Sequence, residues 1–278
     1  MGHTRELCLP ECDREDGEQV TCRGVRCDQN RRSGAADAGC ATEVTGLRLA
    51  PGAPIDKSRR MRIAVLGGTG PAGSGLAARL ASVGYDVVIG SRSKYKAMEA
   101  VDTILERWPD HKLSLTADTN AGAATADVVV IATPWESTAS TALSVADLLK
   151  GKVVISMANA LAKVGPEFQP LVPPRGSVAA SVQAIVPRAM VAGAFHHLPA
   201  RELGNITEPI ESDVLICSDH MKATEITADI VRKIPGCRPL DTGGLSNAAP
   251  IEAFAAVLLQ LNMRYKTRSA LRMTGIDA

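Results

Sequence analysis

The chain has 278 residues, with 31 lysines and arginines against 30 aspartates and glutamates, and only 3% of its residues are aromatic. A net charge of +1 gives no excess of positive charge for binding the phosphate backbone of a nucleic acid. So few aromatic rings cannot stack on the bases of a single strand. No apolar run approaches the roughly 18 residues that a membrane span needs. We therefore expect partners other than nucleic acid and membrane.

Residues 1–60 differ in composition from the rest of the chain. They contain no Phe, Tyr or Trp, carry ten basic and ten acidic side chains and lack apolar periodicity, which predicts a disordered N-terminal extension. The spacings of Cys8 with Cys12 and of Cys22 with Cys27 come near those of a zinc site but are loose, and we predict no metal. No apolar stretch suits a signal peptide. Met61, at the start of a strand, is an alternative natural start.

From residue 61 onward, strand and helix patterns alternate. In chain order they predict a strand at 62–66, a helix ending at 82, a strand at 86–90, a helix at 94–108, strands at 113–116 and 127–132, a helix at 137–149, a strand at 152–156, a loop at 164–176, a helix from about 177, strands at 190–194 and 213–217, and helices at 222–233 and 248–266. Near-continuous apolar strands separated by helices are typical of a parallel sheet buried on both faces. The pattern predicts an α/β fold with a Rossmann-type doubly wound parallel sheet.

A glycine-rich turn stands between the first strand and the first helix. Its residues form a G-x-G-x-x-G pattern: Gly68, Thr69, Gly70, Pro71, Ala72 and Gly73. Glycine permits a tight turn and lets the backbone approach a pyrophosphate, while the helix that begins there offers unpaired N–H groups and its dipole. We predict that this turn binds a dinucleotide.

The residues after the second strand indicate which dinucleotide. NAD enzymes place an acid there to accept a hydrogen bond from the 2′-hydroxyl of the adenine ribose, but this chain has Ser91 and Arg92. A guanidinium and a hydroxyl suit a 2′-phosphate, and we therefore predict NADP(H).

Loops after the later strands should form the substrate wall, because ligands of parallel sheets lie beyond the carboxyl ends of the strands. Thr133, Pro134 and Trp135 follow the fourth strand, Asn159 follows the fifth, and residues 195–200 follow the sixth. The adjacent histidines of that last loop lack the spacing of metal ligands.

Five segments together resemble the NADPH-dependent F420 reductases, also called F420H2:NADP oxidoreductases. They are RIAVLGGTGPAGSG at 62–75, GSR at 90–92, TPWE at 133–136, AFHHLPA at 194–200 and RPLDTGGLSN at 238–247. The resemblance spans residue 61 to the end. It implies NADP(H) at residues 68–73 and 91–92, coenzyme F420 as co-substrate, and a homodimer. His196 and Leu198 match the family positions that touch the deazaflavin ring. The N-terminal extension, His197 and the Ala-Ala-Pro at 248–250 depart from the family pattern, and the loop changes leave room for a different acceptor.

The implied chemistry is hydride transfer between nicotinamide and deazaflavin, which needs no side-chain nucleophile. We expect Leu198 to pack against the stacked rings and His196 to hydrogen-bond the deazaflavin. Arg188, Arg201 and Lys222 are candidate cations for the acidic tail of F420, although each also suits a solvated surface.

Two other functions remain open. A dehydrogenase of a small hydroxyacid, or an enzyme acting on an imine, would share the first domain, but hydroxyacid oxidation wants a lysine near an asparagine, and no lysine follows Asn247 until Lys266. An NADPH-binding sensor without chemistry is the second alternative.

The expected organisation is a disordered extension at 1–60, an NADP-binding domain at 61–218 and a small helical C-terminal domain at 219–278 that completes the cleft and the dimer contact. Residues 251–261 are apolar around most of a helix, which favours burial in a dimer or in the core. Cys217 and Cys237 suit buried thiols of a cytoplasmic protein.

Overall fold

The computed structural model describes residues 60–276. The predicted disorder of the N-terminal extension and the cysteine spacings considered for zinc fall on residues 1–59, outside the described residues. Residues 60–276 belong to one compact unit.

Within residues 60–276 the chain forms ten strands and eight helices. The strands are β1 (Arg62–Leu66), β2 (Asp86–Ser91), β3 (Leu115–Thr119), β4 (Val128–Ile131), β5 (Val153–Ser156), β6 (Leu161–Val164), β7 (Glu167–Pro170), β8 (Met190–Gly193), β9 (Ser212–Ser218) and β10 (Cys237–Asp241). The helices are α1 (Pro71–Ser82), α2 (Lys94–Arg107), α3 (Asn120–Ala123), α4 (Trp135–Ser144), α5 (Val178–Ile185), α6 (Ala200–Leu203), α7 (Met221–Arg232) and α8 (Ala248–Tyr265). Short 3-10 helices span Ala146–Leu149 and Leu245–Asn247.

Eight strands form one sheet in the order β10-β9-β8-β5-β4-β1-β2-β3, and β6 pairs with β7 in a separate hairpin. The six strands from β8 to β3 are parallel. The chain runs outward from β1 to β3 and then returns to β4 on the other side of β1. This is the doubly wound arrangement of a Rossmann-type fold, which confirms the predicted fold class.

Strand β9 departs from the fully parallel sheet that the sequence predicted, because it pairs antiparallel with β8, and β10 pairs parallel with β9. The helix between β8 and β9 has four residues and rises only about 6 Å. The connection at 194–211 contains no longer helix that packs back along β8, a strand of about 13 Å. Strand β9 therefore starts near the edge at which β8 ends.

Apolar side chains of the strands alternate between two cores. Ile63 and Val65 point into a core that contains side chains of α1, α2 and α7. Ala64 and Leu66 point to the opposite face, where α3, α4 and α5 pack. All four side chains are fully buried. The sheet is therefore covered on both faces, as the continuous apolar strands predicted.

Several elements differ from their predicted positions. The third strand lies at 115–119 rather than 113–116, and the helix predicted at 137–149 begins at 135, ends at 144 and continues as a 3-10 turn. The predicted loop at 164–176 contains β7, which pairs with β6 across Gly165 and Pro166. Gly165 has a φ of 59°, and this left-handed backbone closes a tight hairpin turn.

The C-terminal part is not purely helical, contrary to the sequence prediction. Strand β10 lies at the edge of the main sheet and contains Pro239. A proline argues against a strand in the sequence pattern, but an edge strand tolerates it. The division into domains at 61–218 and 219–278 stays a prediction. Across residues 60–276, no helix has the length and apolar character needed to cross a membrane.

Candidate functional site

The carboxyl ends of five parallel strands bring the predicted site residues to one edge of the sheet. The glycine-rich turn follows β1, Ser91 and Arg92 end β2, Thr133 follows β4, Asn159 follows β5, and the histidine turn follows β8. Because β1 and β4 are neighbours whose connections leave in opposite directions, a crevice opens between them, where ligands of such sheets bind.

The glycine-rich turn is packed tightly at three glycines and open at a fourth. A Cβ on Gly67, which has a φ of 78°, would lie 2.7 Å from Cγ2 of Thr133, and a Cβ on Gly68 would lie 2.9 Å from Cγ2 of Ile89. A Cβ on Gly73 would lie 2.7 Å from the Gly67 carbonyl oxygen. At Gly70 the nearest atom would be 3.7 Å away. The protein leaves space at Gly70, where a ligand backbone such as a pyrophosphate fits.

Helix α1 begins at this open position without a side-chain cap. Gly70 is the N-cap in an extended conformation, Pro71 occupies the first turn, and no acid lies there. The amide groups of Ala72 and Gly73 belong to the first turn, which lacks intrahelical acceptors. Together with the helix dipole they form a site for an anion, and Thr69 is exposed beside them.

The end of β2 lies directly against this turn, since the Gly67 N–H donates to the Gly90 carbonyl at 3.1 Å. Ser91 is half-buried, and its hydroxyl accepts a hydrogen bond from the Ser93 N–H at 3.3 Å. Arg92 is exposed and forms no ion pair with any described residue. Its guanidinium is therefore available to a phosphate bound beyond the turn.

The loop after β4 is held by its own hydrogen bonds. The Thr133 and Thr138 hydroxyls lie 3.0 Å apart, and Pro134 is the N-cap of α4. Trp135, the first residue of α4, packs against a small cluster that contains Ala158. Its indole N–H is buried without an acceptor among the described residues.

Asn159 connects the loop after β5 to the histidine turn. Its Nδ2 donates to the His196 carbonyl at 2.6 Å, while its Oδ1 is buried without a donor among the described residues. The Ser156 hydroxyl, at the end of β5, is also buried and unpaired within the described part of the chain. Buried polar atoms are normally satisfied, and unsatisfied ones at a strand edge mark a place where a ligand or water completes the bonding.

The histidine turn has a strained start and an enclosed centre. Phe195 is fully buried with a φ of 65°, a left-handed conformation that is rare for an aromatic residue. His196 is 6% exposed, and neither ring nitrogen makes a hydrogen bond of normal geometry in residues 60–276, although the backbone of Ala194 and of Ser156 interacts with the ring and opposes the lowering of its pKa. Burial lowers the pKa of His196 to about 3, with His197 contributing, so the ring is neutral at physiological pH. Leu198 is 7% exposed and belongs to the main core, so little of its side chain is accessible.

His197, which departs from the family pattern, connects the histidine turn to β9 by a hydrogen bond. Its Nε2 donates to the Asp213 carbonyl at 2.8 Å, and burial lowers its pKa. The Asp213 carboxylate in turn accepts two hydrogen bonds from Arg238, at 2.7 and 2.8 Å, which hold the pKa of Asp213 at about 2. His197 therefore supports the turn from behind rather than facing the crevice.

Sequence reasoning missed the link between α1 and α6. Arg79 is 1% exposed and donates to five carbonyl groups, those of Leu203, Ile206, Glu208, Glu202 and Asn205. A Cβ on Gly75 would lie 2.9 Å from the Ala200 carbonyl oxygen, so the two helices touch closely. An arginine inside the apolar run of α1 was the available signal, because a charge on a buried face needs partners.

Within residues 60–276, no group of three His, Cys, Asp or Glu side chains is placed to hold a metal ion. The orphaned polar atoms and the open space at Gly70 fit organic ligands instead.

The geometry defines the class first: a Rossmann-type α/β protein with a dinucleotide crevice and a second enclosed polar edge beside it. The family model for coenzyme F420-dependent NADP oxidoreductases matches residues 62–160. An F420-dependent NADP reductase of Methanocaldococcus jannaschii is 35% identical over 223 residues, which is 78% of this chain and 100% of the relative. One from Methanothermobacter marburgensis is 37% identical over 222 residues, 78% of this chain and 99% of the relative.

The fold agrees with that of a solved structure, a candidate F420-dependent NADP reductase from Arthrobacter sp. FB24, with a TM-score of 0.66 at 24% identity over 77% of this chain and 99% of that chain. The chain belongs to the family of F420-dependent NADP reductases.

Proposed function

We propose that this chain transfers a hydride between NADP(H) and the deazaflavin coenzyme F420. The observation that carries the proposal is the position of the open glycine turn and of the enclosed histidine turn at one edge of the sheet. Relatives at 35–37% identity are named F420-dependent NADP reductases, which supports the choice of both ligands.

The residues proposed to bind NADP(H) lie around the first crevice. The backbone from Gly68 to Gly73 holds the pyrophosphate, with the space at Gly70 and the first-turn amides of α1 facing it. Ser91 and Arg92 bind the 2′-phosphate. Thr133, Pro134 and Trp135 line the crevice on the β4 side and limit where the nicotinamide end can lie.

The residues proposed to meet F420 lie at the ends of β5 and β8. His196 offers a neutral imidazole, which donates a hydrogen bond from one ring nitrogen and accepts one at the other, and Asn159 offers an unpaired Oδ1. Leu198 gives an apolar edge against which a flat ring can pack. Because these atoms are almost enclosed, contact with the ring requires the turn at 195–199 to open slightly.

The two bound coenzymes supply the redox chemistry. The protein's part is to hold both ligands in fixed orientation and to exclude water, which can contribute roughly 7 to 11 kcal/mol to lowering the barrier. The apolar surroundings of Leu198 exclude water, and the neutral state of His196 removes a competing proton donor at physiological pH.

One observation argues against the hydroxyacid alternative. The Asn247 amide donates to the Thr242 carbonyl at 2.5 Å, so this asparagine is engaged by its own loop rather than paired with a lysine.

The experiment is a spectrophotometric assay of the purified full chain with NADPH and F420. Loss of the deazaflavin absorbance at a rate proportional to enzyme is the expected result. Turnover of hydroxyacids or imines without reduction of F420 would contradict this function and indicate a dehydrogenase of those substrates. Binding of NADPH without any turnover would support the alternative that the chain is an NADPH-binding sensor.

We also propose a homodimer in the cytoplasm. Apolar side chains of α8, including Val257, Leu261 and Met263, are 48%, 37% and 43% exposed, which favours a partner surface. Light scattering of the purified chain gives the oligomeric state, and cell fractionation gives the location.

A further inference from the structure

A cavity of about 740 Å³ lies beside the histidine turn. One wall is formed by Pro199 and the start of α6, and the other by the last turn of α8 and residues 266–268. Pro199 follows Leu198 directly, so the cavity begins where the proposed deazaflavin contact ends.

The cavity carries an excess of positive charge. Its walls include Arg201, Lys266 and Arg268, with Glu202 as the acid. Arg268 is paired with Glu202, at 2.6 Å between Nη1 and Oε1. Arg201 and Lys266 form no ion pair with any residue in 60–276. Two cations are thus left unbalanced in one concave surface, which favours an extended anion.

Topology separates this cavity from the other cations that the sequence suggested for an acidic tail. Arg188 precedes β8, and Lys222 lies in the first turn of α7, after the end of β9. Because β9 is antiparallel to β8, with Ser218 opposite Ala192, both residues lie toward the edge opposite the crevice. Of the three candidates, only Arg201 is on the ligand side.

We propose that this cavity binds the acidic tail of F420, a chain of phosphate and carboxylate groups attached to the deazaflavin, with Arg201 and Lys266 as its cationic contacts. The proposal rests on the proposed function, since it assigns the part of the same substrate that extends away from the reacting ring. The cavity adjoins the turn that meets the ring, and its free charges are opposite in sign to the tail.

The test compares two acceptors at saturating NADPH: F420 and the same deazaflavin without its acidic tail. For the Arg201→Ala/Lys266→Ala double variant we expect the KM for F420 to rise about tenfold, with kcat within about twofold, because a uniform binding contribution is lost. The KM for the tailless acceptor should not change. In the unaltered chain, raising the salt from about 0.05 to 0.5 M should increase the KM for F420, and the variant should lose most of that dependence.

The matched control is the Arg188→Ala/Lys222→Ala double variant, which removes the same charge from exposed positions at the opposite edge. It should keep the KM for both acceptors. An unchanged KM for F420 in the cavity variant, an equal rise for both acceptors, or an equal effect of the control would overturn the cavity proposal while the reductase function stands. If the unaltered chain reduces neither acceptor, the proposed function itself fails and the cavity proposal with it. All four exchanged side chains are exposed, and the thermal unfolding midpoint checks that each variant is folded.

Discussion

The choice between NADP and NAD depends on two side chains at the end of β2. The hydrogen bond from Gly67 to Gly90 fixes this strand end against the glycine turn, so whatever lies across the turn also meets Ser91 and Arg92. Arg92 is exposed and has no ion-pair partner among residues 60–276. A charged hydrogen bond contributes about 1.5 to 3 kcal/mol, which is enough to decide a nucleotide preference.

Replacing Arg92 by alanine should therefore act on one nucleotide only. We expect the KM for NADPH to rise about 10- to 100-fold, because the 2′-phosphate loses its guanidinium. The KM for NADH should change less than about twofold. Steady-state kinetics with both nucleotides measures the difference, and Lys96→Ala, an exposed cation on α2, is the control. Equal changes for NADPH and NADH would show that Arg92 does not touch the phosphate.

The two halves of the candidate site differ in how far the sequence predicts them. The glycine turn and Ser91–Arg92 follow from local chemistry, since backbone freedom and charge are properties of the residues themselves. The enclosure of His196 does not, because it depends on the left-handed Phe195 and on Asn159 from another strand. Only the folded chain brings these residues together.

At the scale of elements, α1 connects the two halves of the site. It begins at the glycine turn and, one turn later, touches α6 at Gly75. Arg79 then holds the chain from 202 to 208 through backbone carbonyls, without a carboxylate. Burial lowers the pKa of Arg79, and the five hydrogen bonds that it donates compensate for the buried charge. The histidine turn is therefore anchored to the helix that carries the anion site.

Arg79→Met should lower the free energy of unfolding by about 3 kcal/mol or more, because several buried carbonyls lose their donor. Arg79→Lys should recover part of the loss, since lysine supplies three donors rather than five. Urea unfolding at constant slope measures both variants. Lys96→Met, on the exposed face of α2, should stay within about 0.5 kcal/mol of the unaltered chain. A loss at Arg79 no larger than at Lys96 would contradict the anchoring role.

A second connection joins α8 to α5. The Glu252 carboxylate is 5% exposed and accepts hydrogen bonds from the Val178 and Ala179 N–H groups, at 2.8 and 3.0 Å. Burial raises the pKa of Glu252 from 4.5 to about 7, although the two N–H groups oppose the shift. The folded protein therefore keeps this proton at pH values where the unfolded chain has released it.

This proton makes stability depend on pH in a defined direction. The contribution of Glu252 is fully present below pH 4.5 and is lost as the pH rises through about 7. It amounts to a fall on the order of 3 kcal/mol in the free energy of unfolding. Glu252→Gln should remove this fall, which denaturation series between pH 5 and 8 would measure. Glu225→Gln, at an exposed position of α7, should keep it. The same pH dependence in both variants would exclude Glu252 as its source.

At the scale of the molecule, the topology decides which residues meet. Five of the six parallel strands were predictable from their apolar runs, whereas β3 has no such run and was predicted at 113–116; the carboxyl ends of these strands gather the site. The antiparallel β9 was not predictable from those runs, because an apolar strand reads the same in either direction and the connection at 194–211 contains only a one-turn helix. The direction of β9 places Lys222 at the edge opposite Arg201, together with Arg188, although the sequence made all three equal candidates for binding the acidic tail.

The central claim is that a hydride passes directly between two rings that the sheet edge holds together. The most direct test uses NADPH carrying deuterium at the transferred position of nicotinamide carbon 4, incubated with the full chain and F420 in ordinary water. Mass spectrometry of the reduced deazaflavin should find the deuterium at its carbon 5. Reduced deazaflavin that carries hydrogen from water instead would contradict direct transfer. So would oxidised nucleotide that keeps its deuterium whichever face of the nicotinamide was labelled.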